Sequence, residues 1–388
     1  MPSDTKTRHS LTLMLIGTFL VSLSTAMNGA LYNNFLKVML SGNYMKMGQV
    51  EAVRETPGIL SAFLSGVGSF LPEPVLGAIS LIVMGLGFAG YYWATSFTSI
   101  MGWSFFNSLG MHLWMPLSGA LGMGLAPENQ KGTVLGRIAS IGAVGTLTGY
   151  LVVAGLSRLM PEGVQSFYRY LYFIAGFIAI IAAIVILSIK VRPPLKPKPK
   201  FIFKKKYGLY YLLQILEGCR KQVFITFATF TLVLNYNAGP GTMAVLLFIN
   251  YLVAFGVSPL FGKWIDRFGE KKVLTWNYLL LIIVFILYSL IHVREVLYVL
   301  FCMDNILFTF SIALTTYVGK IAPQEELTGT LAMGVSVNHV AAVIVPLVGF
   351  AAWKLFGYEV CFMAGALVVI GQLILVQKMK LPENKTAV

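Results

Sequence analysis

The chain has 388 residues, 57% of them hydrophobic and only 11% charged, with a net charge of +14 and a mean hydropathy of +0.77. A soluble domain carries about 25% charged residues, so this composition cannot cover a folded surface with polar groups and excludes a water-soluble enzyme. Aromatic residues at 13% exclude a disordered chain. The sequence reads as an all-α integral membrane protein.

A helix crosses the hydrocarbon core with about 20 apolar residues. In chain order such runs fall at 11–34, 47–70, 75–95, 98–124, 132–157, 166–190, 208–234, 241–262, 273–292, 295–319, 329–353 and 357–378, which predicts twelve transmembrane helices. Most connections are short. The exception is the Pro- and Lys-rich stretch KVRPPLKPKPKFIFKKK beginning at Lys190, which is extended and solvated by composition. The predicted organisation is a first six-helix bundle over 1–190, a basic linker over 191–207 and a second bundle over 208–388.

Lys and Arg set the orientation. With a cytoplasmic N-terminus, Lys6, Arg8, Lys131, Arg137, the linker cations, Lys263, Arg267, Lys271, Lys272, Lys320, Lys378, Lys380 and Lys385 all fall inside, far outnumbering the cations left outside. Both termini are therefore expected in the cytoplasm, in the inner membrane of a prokaryote. The positive charge is a topology signal and calls for no nucleic-acid partner. Lys6 and Arg8 before an apolar run resemble a signal peptide, but the run continues into a full span and is read as the first helix, uncleaved. Cys219, Cys302 and Cys361 lie in apolar runs without metal or disulfide spacing and read as small core residues.

Ala126-Pro127-Glu128 through Gly132-Thr133 before span five is echoed by Ala322-Pro323-Gln324 through Gly329-Thr330 before span eleven, half a chain later. Between spans eight and nine stands Gly262-Lys-Trp-Ile-Asp266-Arg267-Phe-Gly269-Glu-Lys271-Lys272. Glycines there allow a tight turn, Asp266 can pair with a basic group or a helix N-terminus, and the cations stay on the inner face. This segment resembles the cytoplasmic-loop signature of the major facilitator superfamily, G-x-x-x-D-R-x-G-[RK]-[RK], with one residue inserted before the basic pair. The resemblance implies two pseudo-symmetric six-helix bundles, transport by alternating access, a gating role for Gly262, Asp266, Arg267, Gly269, Lys271 and Lys272, and a cavity lined by spans one, four, seven and ten. The corresponding first-half loop, Gly66 to Pro74, lacks the Asp-Arg pair. Span five, with Gly142, Gly145 and Gly149, is without the Gly-Pro pair typical of the family's drug–proton antiporters, which argues against drug export.

Ionisable groups inside spans are expensive and mark function by default. Span seven carries Glu217, Arg220 and Lys221. Glu217 and Lys221, four apart, are expected to share a face and pair, leaving Arg220 unbalanced. The group reads either as a packing ion pair or as cations, Arg220 and Lys221, that bind an anionic or amphipathic solute. Span ten holds Asp304 and Asn305, Asp304 as counter-ion or proton carrier. Span four holds His112 and Trp114, and span eleven Asn338 and His339. Each reads as packing, as solute contact (His112, Trp114, Asn305, Asn338) or, for His339, as a proton site. Span two opens with Glu51, Arg54 and Glu55, an outer-gate cluster centred on Arg54 or a pair of proton-coupling carboxylates. Asn28 in span one is either helix glue or a solute ligand.

No HExxH, GxSxG or Walker sequence is present, so no catalytic site, metal or cofactor is expected. The expected function is secondary active transport of a small organic solute by a monomer in the bilayer, coupled to protons or another ion through Glu217, Asp304, Glu55, Glu51 or His339. The alternatives are an exporter of hydrophobic compounds or lipids, and a sensor or assembly factor that keeps the fold without transport.

Overall fold

The computed structural model describes residues 2–60, 71–126, 131–159, 164–190 and 202–380. Most of the first-half loop 66–74, residues 127–130 of the repeat and most of the linker lie outside them. The described residues form helices and no strands. In order these are α1 (Pro2–Met39), α2 (Tyr44–Ile59), α3 (Glu73–Gly90), α4 (Phe97–Leu125), α5 (Lys131–Leu159) and α6 (Gln165–Leu187). After the linker come α7 (Gly208–Gln222), α8 (Thr229–Leu234), α9 (Pro240–Phe268), α10 (Glu270–Leu290), α11 (Arg294–Phe308), α12 (Ile312–Ile321), α13 (Gln324–Phe356) and α14 (Glu359–Val376). A π turn, Val223–Ala228, joins α7 to α8, and a 3₁₀ turn, Thr309–Ser311, joins α11 to α12. Counting each joined pair as one, the helices occupy the twelve places that the apolar runs mark.

Nine helical segments among the described residues are long and apolar enough to cross a membrane. The other three places, α2 (described to Leu60), α4 and α7–α8, hold four of the six buried charged residues among those described, Glu51, Glu55, Glu217 and Arg220, together with Asn107, Ser108, His112, Gln222 and Thr226. A span can hold such groups only where other helices, and not lipid, surround them.

Local chemistry sets the ends. Asn43 caps α2 by accepting from the Lys46 amide at 3.1 Å, and Ser96 with Ser99 forms a reciprocal capping box on α4. Gly269 at φ +80° separates α9 from α10, and Gly357 at φ +87° separates α13 from α14, conformations that a side chain disfavours.

The chain divides into two compact units, residues 1–198 with 237–251, and 199–236 with 252–388. In the first, α1 packs along α5 and α6, α3 along α4 and α6, and α2 along α4. Phe35, Tyr91 and Tyr172 meet with ring centroids 4.7–5.1 Å apart, each pair adding about 0.5–1.5 kcal/mol beyond its buried area. In the second, α10 packs along α14, and α7 along α13 and α14. The Phe227 ring of the π turn sits where a Cβ on Gly349 would stand, so the widened turn seats its bulk against a residue with none.

Candidate functional site

In the second unit the ionisable residues of spans seven and ten converge. Arg220 and Asp304 are 0% exposed and Glu217 is 5% exposed. The Arg220 guanidinium grips Glu217 with two donors, Nη2 to Oε1 and Nε to Oε2, the latter at 3.2 Å. Gln372 of α14 donates to the same Oε2 at 3.0 Å. Nη1 of Arg220 lies 3.9 Å from Oδ1 of Asp304 on α11, and the guanidinium sits over the Phe308 ring at 5.1 Å. Among the described residues neither Asp304 oxygen has a hydrogen bond. One arginine thus faces two carboxylates and is committed to one of them.

This differs from the expected Glu217–Lys221 pair. Arg220 is three residues on and its planar fork reaches back to both carboxylate oxygens. Lys221 points about 100° further round the helix and is half-buried. Arg220 is therefore not the unbalanced cation of the group. Asn305 is half-buried beside Asp304. Asn338 donates to the Gln214 carbonyl at 3.2 Å, tying α13 to α7, and His339 is buried on the next position.

The first unit holds a second cluster with the same make-up. Arg54 of α2 bridges Glu51 at 2.7 Å and Glu55 at 3.0 Å, and its guanidinium lies 5.1 Å from the Tyr32 ring of α1. Glu51 and Glu55 are 1% and 6% exposed. Ser108 of α4 donates to the Arg54 carbonyl, and His112, one turn on, places Nδ1 2.8 Å from the Ser108 carbonyl. Tyr91 joins Ser104 at 2.7 Å and accepts from Asn107 at 2.9 Å. His112 is thus built into the α4–α2 contact. Trp114 is buried against Gly77, and Asn28 accepts from the Tyr172 hydroxyl at 3.2 Å.

The Asp266 segment behaves differently from its expectation. Asp266 and Arg267 are exposed, and Asp266 makes no ion pair among the described residues. The reversal at Gly269 turns the next acid, Glu270, inward at the start of α10. Glu270 is 0% exposed and pairs with Lys320 at the end of α12, 2.7 Å away, while Lys271 donates to the Gln377 carbonyl at 2.7 Å. Gly262 lies within α9, and Lys272 on the first turn of α10.

At this same end of the unit the last linker residues are fastened. Lys204 and Lys206 each approach Glu326 at 2.8 Å, and the Tyr207 hydroxyl donates to it at 2.7 Å. These three donors hold the Glu326 carboxyl down at about 2. A depressed folded value stabilises the tie above the unfolded value of about 4.3 and loses it as pH falls toward 2. The tie is therefore complete at neutral pH. Glu326→Gln is expected to speed tryptic cleavage after Lys204–Lys206 severalfold at pH 7.5; an unchanged rate would mean that the stacked Phe203 and Tyr211 rings, 5.2 Å apart, hold the segment alone.

Residues 210–387 match the sequence profile of the Major Facilitator Superfamily. The whole chain superposes on the nucleoside transporter NupG with a TM-score of 0.76 at 13% identity, covering 95% of this chain and 98% of that one. The xylose transporter XylE from E. coli gives 0.72 at 15% identity, covering 97% of each, and the human organic anion transporter MFSD10 gives 0.64 at 14%, covering 96% and 99%. The second half of the chain carries the sequence profile of the major facilitator superfamily, and the chain as a whole has the fold of these solved transporters. No curated protein matches it in sequence. At such identities the solved structures establish the fold alone, and the function has to be argued from the chain's own residues.

Proposed function

We propose that this chain is a secondary active transporter that moves a small organic solute across the membrane by alternating access of two helical bundles joined by the 191–207 linker, coupled to protons. The observation that carries the coupling is the charge count around Arg220. With Glu217, Arg220 and Asp304 all ionised, a fully buried cluster holds one excess negative charge. Such a charge is costly in a low-dielectric interior, and one bound proton removes it. Asp304, without a hydrogen bond and 3.9 Å from a guanidinium already engaged, is the group to take that proton. Glu51 and Glu55 around Arg54 repeat the count in the first unit, and His339 is a further proton site.

The solute was expected to be anionic or amphipathic. Because Arg220 is spent on Glu217, the balance tips toward an uncharged or amphipathic solute, and an acid would have to rely on the half-buried Lys221. Asn28, His112, Trp114, Asn305 and Asn338 remain candidate solute contacts. The cytoplasmic ends of the helices, with Asp266, Arg267, Lys271 and Lys272, would face the inside of a prokaryotic inner membrane, and Arg54 would close the other side. NupG, XylE and MFSD10, which share the fold, are all transporters, which supports transport over a sensor without flux.

Proteoliposomes with an imposed pH gradient test the reading. Solute accumulation that collapses with a protonophore is the expected result. Specific solute binding with no flux in either direction would replace transport by sensing.

A further inference from the structure

We propose that the first unit binds an uncharged, hydroxyl-bearing solute no larger than a monosaccharide, in the cavity between Ser22 and Thr25 of α1, Thr146 and Tyr150 of α5 and Tyr251 of α9. This rests on the transport reading and names the class of solute that it handles. All of these residues belong to the first unit, α9 entering it up to Tyr251.

The cavity has a volume of about 290 Å³ and is completed by Val21 and Ala26. That is at the small end of ligand pockets, about 300–1,000 Å³. No Asp, Glu, Lys, Arg or His lines it, so a charged solute would enter without a counter-ion and lose its hydration uncompensated. What lines it instead is five hydroxyls, each able to donate and accept. Two tyrosine rings with Val21 and Ala26 supply the flat apolar surface that the carbon face of a ring needs.

The hydroxyls stand open. Elsewhere in these helices Ser and Thr close onto the carbonyl four residues back, as Thr56, Ser80, Ser140 and Thr148 do at 2.7–3.0 Å. That is the usual way such a group is satisfied inside a helix. Thr25 does the same with Val21 at 2.7 Å and keeps its lone pairs as an acceptor. Ser22, Thr146, Tyr150 and Tyr251 make no hydrogen bond among the described residues. Four hydroxyls able to donate and five able to accept therefore belong to residues lining one small space, and none of the four donors is committed to a partner among the described residues.

The sequence places them there. Gly145 and Gly149 lie against the α1 backbone: a Cβ on Gly145 would run into the Phe19 carbonyl, and one on Gly149 would come within 2.6 Å of the Leu23 carbonyl. Thr146 and Tyr150 each follow one of these glycines, so they stand about 100° round from the line of contact. They emerge at the edge of the crossing, facing Ser22 and Thr25.

Thermal unfolding of the detergent-purified protein against neutral monosaccharides and acyclic polyols, with gluconate and glucosamine as charged counterparts of similar size, tests the proposal. The expected result is stabilisation by at least one neutral compound and by neither charged one. Thr146→Val and Tyr150→Phe, which keep shape and remove one polar group, are each expected to weaken that binding about fivefold without moving the unliganded melting temperature. Ser22→Ala serves as a third variant should either of these shift the unliganded melt. Absence of any neutral ligand, equal stabilisation by the charged counterparts, or binding untouched by all three variants would overturn it. Gradient-driven flux of other solutes in the absence of polyol binding would overturn this inference and leave transport standing; polyol binding without flux would do the reverse.

Discussion

Arg220→Met is expected to lower the stability of the purified protein by about 3–5 kcal/mol, the usual result of removing one partner from a buried ion pair. The substitution keeps an unbranched stem as far as the place of Nε and removes the guanidinium with its contact to the Phe308 ring, so the double variant is needed to separate lost charge from lost packing. What it leaves is Glu217 and Asp304 facing each other's field without a cation, Glu217 with only the Gln372 amide. Glu217→Gln in the same chain is expected to restore most of the loss, because an amide there needs no counter-charge and Asp304 can take up a proton. Thermal unfolding of the single and double variants, arranged as a double-mutant cycle, measures this. If the double variant is as unstable as Arg220→Met, the arginine acts by filling space and the ion pair is incidental.

Asp304→Asn is expected to leave the fold intact and abolish coupling. Asparagine has the shape of the protonated acid and no proton to give up, so the cluster becomes fixed in its neutral form. In proteoliposomes the accumulation ratio under a pH gradient is expected to fall to unity while solute exchange at equal pH continues. The pair Asp304→Asn and Glu55→Gln distinguishes the two clusters. If driven accumulation survives the first and fails in the second, the proton travels through the first unit. Loss of both accumulation and exchange in Asp304→Asn would place that residue in solute binding and not in coupling.

Nine of the spans were legible because length and hydropathy alone decide them: a run of some 20 apolar residues has one stable use in a bilayer. The helical irregularities in spans seven and ten were not. Nothing in VFITFA or TFS marks a π or a 3₁₀ turn; the fit of Phe227 to Gly349 is a property of two helices together. The presence of an ion pair at Glu217 was readable, but its partner was not, since spacings of three and four are both neighbours on a helix and the choice between Arg220 and Lys221 falls to Gln372 and Asp304 on distant helices. The exchange of Asp266 for Glu270 followed from the direction in which Gly269 turns the chain. The hydroxyl cavity left the weakest trace. Ser22 and Thr25 are ordinary polar residues of an apolar run in the sequence, and their meaning depends on which serines and threonines fail to close on their own helix.

The glycine contact between α1 and α5 also bears on how the cavity can change size. Side chains that interdigitate can slide by swapping rotamers, but a backbone carbonyl resting where a Cβ would be has no rotamer to swap. α1 and α5 are thus a joint without play, and two walls of the cavity keep a fixed separation. Any widening or tightening has to come from the third wall, at Tyr251. A solute would then be gauged as in a calliper with one fixed jaw. Analogues lengthened toward α1 and α5 should be refused outright, whereas those lengthened toward Tyr251 should be graded by how far that ring can be pushed.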